Sequence, residues 1–522
     1  MKLHLLKVLV QNEVRLRLRR RSTLVLMLLV IALAWAMLPA PGSGLAMIAI
    51  AEARVLYTSP ALALGSATLA GPFFFGLAGF YLLRGSSAED LRSGCGGVIA
   101  ASPVGNALFL SGRWLGGVAF LLVLALLFLG AMLVCHVLRD EGPLQLGVYL
   151  QTYSLLLLPM ILFAVSCATL FDSYAPLMGK AGDVLYFILW MAQISLVAGS
   201  EQVFRHGYSH LMLLDLSGLM LSMLSLKQHM QSDQIALGLA SFDPALTPIA
   251  LPGALWTLQM IWLRCATAAL ALLPLLPAFF LFHRYAPDRV KATRSRRRRS
   301  PLAWLNAGLR PWSGLVQPWF RLAAVLPGFG GQVVAELALS LASAPAALAA
   351  LLLSMLAGLV LPAATLPAVL IAAVAAWACL ICELSTRDFT ARCEELSAAV
   401  AGGILRRYLR QLAATVMLGL LFMGIIALRW SFSEPLRAAA LLSGLLSLSA
   451  LATLAGRSSR SPRTFLAPFL FGLYVAVNET GLPILDVVGF NGVADLRSVV
   501  TQLLIAALAA AAGYVYNSRH AR

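Results

Sequence analysis

The chain has 522 residues, 60% of them hydrophobic and only 12% charged, with a formal net charge of +17. That balance excludes an ordinary soluble domain, in which about a quarter of the residues carry charge. Nor does the excess of base point to nucleic acid, because it sits between apolar runs in the pattern of a positive-inside membrane protein.

A bilayer core of about 30 Å takes about 20 helical residues to cross. Runs of roughly that length recur at Ser22–Ala40, Ala61–Leu83, Leu115–Leu138, Val148–Phe171, Ala181–Gly199 and Cys265–Phe282. After a basic stretch they resume at Pro345–Leu361, Leu366–Leu384, Leu412–Leu428, Leu436–Gly456, Phe465–Val477 and Val499–Tyr516. The expectation is an all-α polytopic membrane protein of about twelve spans. With both termini cytoplasmic, about 31 of the 39 Lys and Arg fall on the inner side. Arg54, Arg139, Arg205, Lys227, Arg429, Arg437 and Arg497 fall outside, and Arg264 lies at a span end. An inner (plasma) membrane location follows, with the basic residues against anionic lipid heads.

In residues 1–21, Leu3, Leu6, Val10 and Val14 share a helix face, with Lys7, Arg15 and Arg19 turned toward lipid heads. An interfacial helix is predicted there. A second span follows so soon that an uncleaved anchor is preferred to a signal peptide. Residues 41–60 read as a short outer loop and Arg84–Arg113 as a cytoplasmic one. Residues 200–262 form the longest outer segment, expected to hold one or two helices at or dipping into the outer leaflet. Arg264 and Arg284 are separated by about 20 residues, so snorkelling would take both to opposite interfaces. Residues 284–330 carry ten basic residues, Arg296–Arg299 among them, against the single acid Asp288. With Trp304, Trp312 and Trp319 spaced among prolines, they read as a cytoplasmic linker on the membrane surface. The pattern then restarts: Gln332-Val-Val-Ala-Glu-Leu-Ala-Leu resembles Val10-Gln-Asn-Glu-Val-Arg-Leu and places Glu336 on Glu13. Two six-span halves in parallel repeat are predicted, residues 1–283 and 331–522.

Few residues carry recognisable chemistry. There is no G-x-x-x-x-G-K-[ST] loop, so the chain should not hydrolyse ATP itself. Asp and Glu all fit into loops or near span ends, Asp172, Asp183 and Glu383 being marginal. An ion-driven carrier usually keeps a carboxylate at mid-depth, and this pattern argues for an external energy source. His206 and His210, with His229 and Glu201 nearby, have zinc-compatible spacing but read better as incidental on an outer helix. Glu201, Asp215, Asp233 and Asp243 form no paired-carboxylate signature. Seven cysteines, mostly within spans, imply no disulfide framework, and Cys379-Leu-Ile-Cys382 reads as small buried residues on one helix face.

One segment remains. Between two long apolar runs, Ala101-Ser102-Pro103-Val104 is followed by Gly105-x-x-Leu108, and Arg113 opens a span. A fainter copy lies at Ala391–Leu412, superposing Arg113 on Arg410, Gly105 on Gly402, Leu108 on Leu405 and Leu115 on Leu412. On these residues the chain resembles the permease subunits of type-2 ABC exporters, and the segments at 92–113 and 387–410 resemble their cytoplasmic coupling helices. The resemblance implies separate cytoplasmic ABC ATPase subunits that bind ATP, no cofactor or metal on this chain, and no enzymatic activity of its own. Arg92, Ser102, Pro103, Arg113, Arg392, Glu394, Glu395, Arg406 and Arg407 are the residues expected to couple to them. Cargo would be amphipathic or lipid-like, and membrane lipids and an accessory extracytoplasmic protein are further partners open to such a chain. The second half departs from the pattern in lacking the Ser-Pro pair and in its shorter outer segment, Asn478–Arg497. The rival readings are a twelve-span facilitator-type secondary carrier and an integral-membrane enzyme acting on lipid-linked substrate.

Overall fold

The computed structural model describes residues 2–519 except 20, 39–44, 51–52, 140, 199–208, 231–234, 242–245, 283–300, 392, 400–401, 479–482 and 484. The basic run Arg296–Arg299, as well as Glu201, His206, Asp233, Asp243 and Arg392, therefore lies outside the described residues. The chain divides into two compact units, Met1–Arg298 and Arg299–Arg522.

Unit 1 opens with α1 (Lys2–Leu18) and α2 (Arg21–Met37), followed by strands β1 (Leu45–Ile50) and β2 (Arg54–Val55). Next come α3 (Ser59–Leu83), the short helices α4 (Ser86–Ser93) and α5 (Cys95–Ala101), α6 (Asn106–Arg139), α7 (Leu146–Ser173) and α8 (Lys180–Ala198). Helix α9 (Leu219–Met230), strands β3 (Ile235–Ser241) and β4 (Pro248–Ile249), and α10 (Leu258–Leu281) complete it.

Helix α3 is the axis of this unit. Its first turns are lined with small residues (Ala61, Ala63, Gly65, Ala67), all buried, which let neighbouring helices come close. Pro72 lacks an N–H, and the stretch Ala70–Ala78 is wound as a π-helix. Two side chains of α8 satisfy carbonyls of that stretch: Trp190 Nε1 donates to Pro72 O at 2.8 Å and the Tyr186 hydroxyl to Gly76 O at 2.8 Å. Tyr186 also stacks on Phe80, with ring centroids 3.5 Å apart.

At the end where α3 begins, unit 1 is not purely helical. Strand β1 pairs antiparallel with β3, and β2 pairs parallel with β4. The expected outer loop at 41–60 thus supplies one strand to each of two small two-stranded sheets. The outer segment supplies the other strand of each, along with α9 and a single 3-10 turn, His210–Leu213. Alternation of small and branched apolar residues in Ile235–Ser241 suits a strand. Its partner, however, is roughly 190 residues away and nothing local specifies it.

Arg264 does not snorkel. It is 2% exposed, and its guanidinium donates to the carbonyls of Leu155 (2.9 Å), Asp215 (2.6 Å) and Leu216 (3.1 Å). Asp215 folds the same turn by accepting from the Ser217 hydroxyl and from the backbone N–H of Gly218 and Met220. Carbonyls of a turn (Asp215, Leu216) and of helix α7 (Leu155) take up the arginine's donors.

Unit 2 begins with α11 (Pro301–Gly308), a 3-10 stretch Arg310–Val316 and α12 (Gln317–Val325). These pack on α13 (Gly328–Ser343) and α14 (Pro345–Val360), which meet at 105°. Ala344, which precedes a proline, takes φ −132° and ψ 74°, outside the helical region, as X-Pro geometry favours. Then come α15 (Ala363–Thr390), α16 (Glu394–Ala398), α17 (Gly403–Ser433), α18 (Pro435–Ser459), α19 (Arg463–Asn478) and α20 (Leu496–Arg519). Helix α17 is central, packing on α13, α14, α15, α18 and α20. The α18–α20 seam is built on Ala, Ser and Gly, with Ser447 donating to Gln502 Oε1 at 2.7 Å.

Each of the twelve expected apolar runs falls mainly on a helix. Among the described residues, however, only eight helices are long and apolar enough to cross a membrane, or nine if α13 and α14 form one bent span. Apolar stretches in α2, α8 and α19 are shorter, at 10–17 residues. Even the full helices, of 17, 19 and 16 residues, extend less than the roughly 30 Å of hydrocarbon. The protein is a predominantly helical, polytopic membrane protein.

Candidate functional site

The two segments singled out in the sequence are, in each unit, short broken helices between a long helix that ends and a longer one that begins. In unit 1 the boundary is made by charge. Arg84 follows the last residue of α3, and its side chain is fully buried between Asp172, near the end of α7, and Asp183, in the first turn of α8. The Asp183 contact is 3.2 Å, and a third guanidinium nitrogen donates to Leu177 O at 2.6 Å. Asp172 in turn accepts from the N–H of Gly85 (3.0 Å) and the Ser86 hydroxyl (3.1 Å). Gly85 has φ 89°, the left-handed conformation that lets the chain leave α3 and start α4 at once. Two carboxylates are therefore held apart by one cation, and each buried charge has partners.

From α1, Arg17 reaches the same region. It is bonded to Glu13 (2.6 Å) and donates to the carbonyls of Leu82 (3.2 Å) and Leu83 (3.4 Å). This caps the C-terminal end of α3 with a cation, the favourable sense for the helix dipole. Gly112 and Gly116 of α6 sit against Leu9 and Glu13, so α1 lies directly along α6.

Beyond Arg84, α4 and α5 are separated by Gly94, with φ 80°. Arg113 of α6 is bonded to Asp90 of α4 at 2.8 Å, with Phe109 beneath its guanidinium. It thus ties α4 to α6. Ser102 is half-buried and its hydroxyl donates to Ile99 O at 2.8 Å, closing α5, while Pro103 is exposed. Arg92 lies on α4; its side chain is outside the described residues. Cys95, Gly97, Val98, Ala101, Pro103 and Gly105 are exposed, so this part of the surface is small and uncharged, and Val98 projects from it at 74% exposure.

In unit 2 the ties are of the same kind but placed differently. Glu336 on α13 is shared by Arg387 (3.3 Å) and Arg410 (3.4 Å), and Arg387 also donates to the Ser340 hydroxyl at 3.0 Å. Arg407 pairs with Asp388. Glu394 lies 3.6 Å from Arg457 and 3.7 Å from Arg460, which joins α16 to the end of α18. Glu395 is exposed and Arg406 half-buried, and Leu396 stands out at 73% exposure. Gly402, at φ 94°, begins α17, as Gly105 precedes α6.

The sequence superposition set Arg113 on Arg410, whereas the arginine that binds the acid of the preceding short segment is Arg407, one helical turn earlier. Several participants went unmarked in the sequence, among them Arg17, Arg84, Asp90, Arg387, Asp388, Arg457 and Arg460. Each is an ordinary charged residue near a span end, and only the fold brings it to a partner. The exposed apolar pair Val98 and Leu396 was missed too, although an apolar residue isolated in a polar loop was a usable signal.

Buried carboxylates among the described residues are Asp172, Asp183, Asp215 and Asp486. Asp172 and Asp183 lie at helix ends, and Asp215 and Asp486 lie between helices. None of the four sits in the middle of a spanning helix. No protein-family model, characterised protein or solved structure matches the chain.

Proposed function

We propose that the chain is the membrane-spanning permease subunit of an ATP-driven exporter of the type-2 ABC class, moving an amphipathic or lipid-like cargo with separate ATPase subunits. The observation that carries this is the recurrence, in both units, of one mechanical arrangement. A leading helix (α1 or α13) lies along the unit's longest spanning helix (α6 or α17). Arg–carboxylate bonds fasten the short segments to spanning helices, Asp90–Arg113 joining α4 to α6, Asp388–Arg407 joining the end of α15 to α17 and Glu394 meeting Arg457 and Arg460 of α18. In each unit a prominent apolar side chain, Val98 or Leu396, projects from them. A push on α4–α5 is transmitted through Asp90–Arg113 to α6, and a push on the Asp388–Ala398 segment through Arg407 to α17.

Element lengths support a parallel repeat of two six-span halves. The leading helix, first apolar helix, second, long third, fourth, fifth and sixth have 17, 17, 25, 34, 28, 19 and 24 residues in unit 1. In unit 2 they have 16, 16, 28, 31, 25, 16 and 24. The near-perpendicular break between α13 and α14 suits an interfacial helix followed by a span. The placement of the buried carboxylates at helix ends or between helices favours an outside energy source over a proton- or sodium-driven cycle.

Affinity purification of the chain from its native membrane tests the reading. A nucleotide-binding polypeptide should co-purify, and ATP hydrolysis should require both components. Uphill cargo movement by the reconstituted chain alone, driven by an ion gradient without nucleotide, would overturn it.

A further inference from the structure

Unit 2 contains a cavity of about 310 Å³ between α18 and α19, walled on a third side by Val374 of α15. That volume lies at the small end of the range for ligand pockets. Fourteen of its fifteen lining residues are apolar, Leu451, Phe465, Phe469 and Val488 among them, and Thr464 is the exception. The lining runs along α19 from Thr464 to Ala476, a span of about 18 Å. One leaflet of a bilayer core is about 15 Å deep.

The two ends of the cleft differ. One is closed by the turn Leu485–Phe490, which is built to stay in place. Arg437 donates to Gly489 O at 2.5 Å and Phe490 O at 2.7 Å. Asp486 accepts from the N–H of Asn491 and Val493, and the Asn491 amide donates to Ala476 O at 2.7 Å. At the other end Thr464 is exposed, beside the turn between α18 and α19, which is flanked by Arg460 and Arg463. Arg460 is 55% exposed even with Glu394 alongside. A narrow apolar slot of one-leaflet length, with cations at its open end, is complementary to an acyl chain joined to an anionic headgroup.

We infer that the α18–α19 cleft binds one acyl chain of an anionic phospholipid, with its phosphate at the Arg460–Arg463 turn. Binding needs no motor subunit and no nucleotide, so the inference stands or falls separately from the exporter reading. The slot is empty where Gly472 faces it: a Cβ there would meet nothing within 4 Å, so a side chain at this position can occupy the space meant for the lipid tail.

The test uses the full chain in vesicles containing phosphatidylglycerol, or in parallel phosphatidylcholine, with a diazirine in one acyl chain. Label is located by peptide mass spectrometry after illumination. Label from phosphatidylglycerol should concentrate on the peptides of Leu448–Ala455 and Thr464–Ala476. Gly472→Phe, or Leu451→Trp as an independent block, should cut that label about tenfold with the melting temperature held or raised. Arg460→Gln should remove the preference for phosphatidylglycerol without lowering the label from phosphatidylcholine. Label spread evenly over all lipid-facing helices and unchanged by Gly472→Phe would overturn the inference. So would crosslinking of the cleft to another polypeptide in place of lipid.

Discussion

The two units hold their short helices with different electrostatics. In unit 1 the bond that fixes the start of the short helices is buried: Arg84 is inaccessible, both its acids are nearly so, and the projecting Val98 stands on an uncharged surface. In unit 2 the bonds to Glu336 are part-exposed, Arg387 and Arg410 being 26% and 24% accessible, although Arg407 beside Asp388 is buried. Leu396 there projects beside the exposed Glu395. Burial makes a junction stiff because its charges have nowhere else to go, whereas part-exposed charges can exchange protein partners for water at little cost. On the proposed reading the Arg84 junction is the stiffer tie and the Glu336 junction the more compliant one.

The sharpest way to break that comparison is to delete the central arginine from each. Arg84→Ala leaves two buried carboxylates facing each other, and the expected loss is about 3–5 kcal/mol, read as a fall in thermal stability in detergent. Arg387→Ala removes a part-exposed bond, with an expected loss of about 1 kcal/mol in the same assay. Equal losses would abolish the distinction.

Intermediate in size is the effect at the projecting residues. Val98→Asp and Leu396→Asp each place a charge where the account puts an apolar docking contact. Motor-subunit affinity should fall about tenfold for each, equivalent to about 1.4 kcal/mol, while the stability of the isolated chain changes by less than about 0.5 kcal/mol. A loss for Leu396 alone would assign docking to unit 2 only. Smallest are Glu395→Ala and Arg406→Ala, surface changes expected to shift stability by less than about 0.5 kcal/mol and to weaken docking mainly at low salt. A salt-independent loss would show that these charges are buried on docking.

Helix positions were legible in the sequence because a span is a local pattern: about 20 apolar residues are enough to identify one. The short segments were legible through Gly105 and Gly402, of which Gly402 takes the left-handed conformation, φ 94°, that breaks the chain before α17. Partners were not. Asp90 meets Arg113 across 23 residues, Arg84 meets Asp183 across 99, and β1 meets β3 across about 190, and no local rule chooses among so many charged or apolar candidates. Arg264 shows the same limit in reverse: its distance to Arg284 suited an interfacial arginine, but a distant turn supplied the carbonyls that hold it. The superposition of Arg113 on Arg410 fell one helical turn from Arg407, the residue that meets Asp388. Spacing fixed which helix carried the arginine, and packing fixed which face.

The central claim is that a motor subunit pushes on the chain at both short segments. Crosslinking in intact native membranes tests it, from the exposed Cys95 in unit 1 and from a cysteine introduced by Leu396→Cys in unit 2. The account requires both positions to trap the same nucleotide-binding polypeptide from the same membrane face, with yields that change when ATP is added. If the two cysteines react from opposite faces, or if both trap only lipid while cargo still moves, the chain is not driven at these segments.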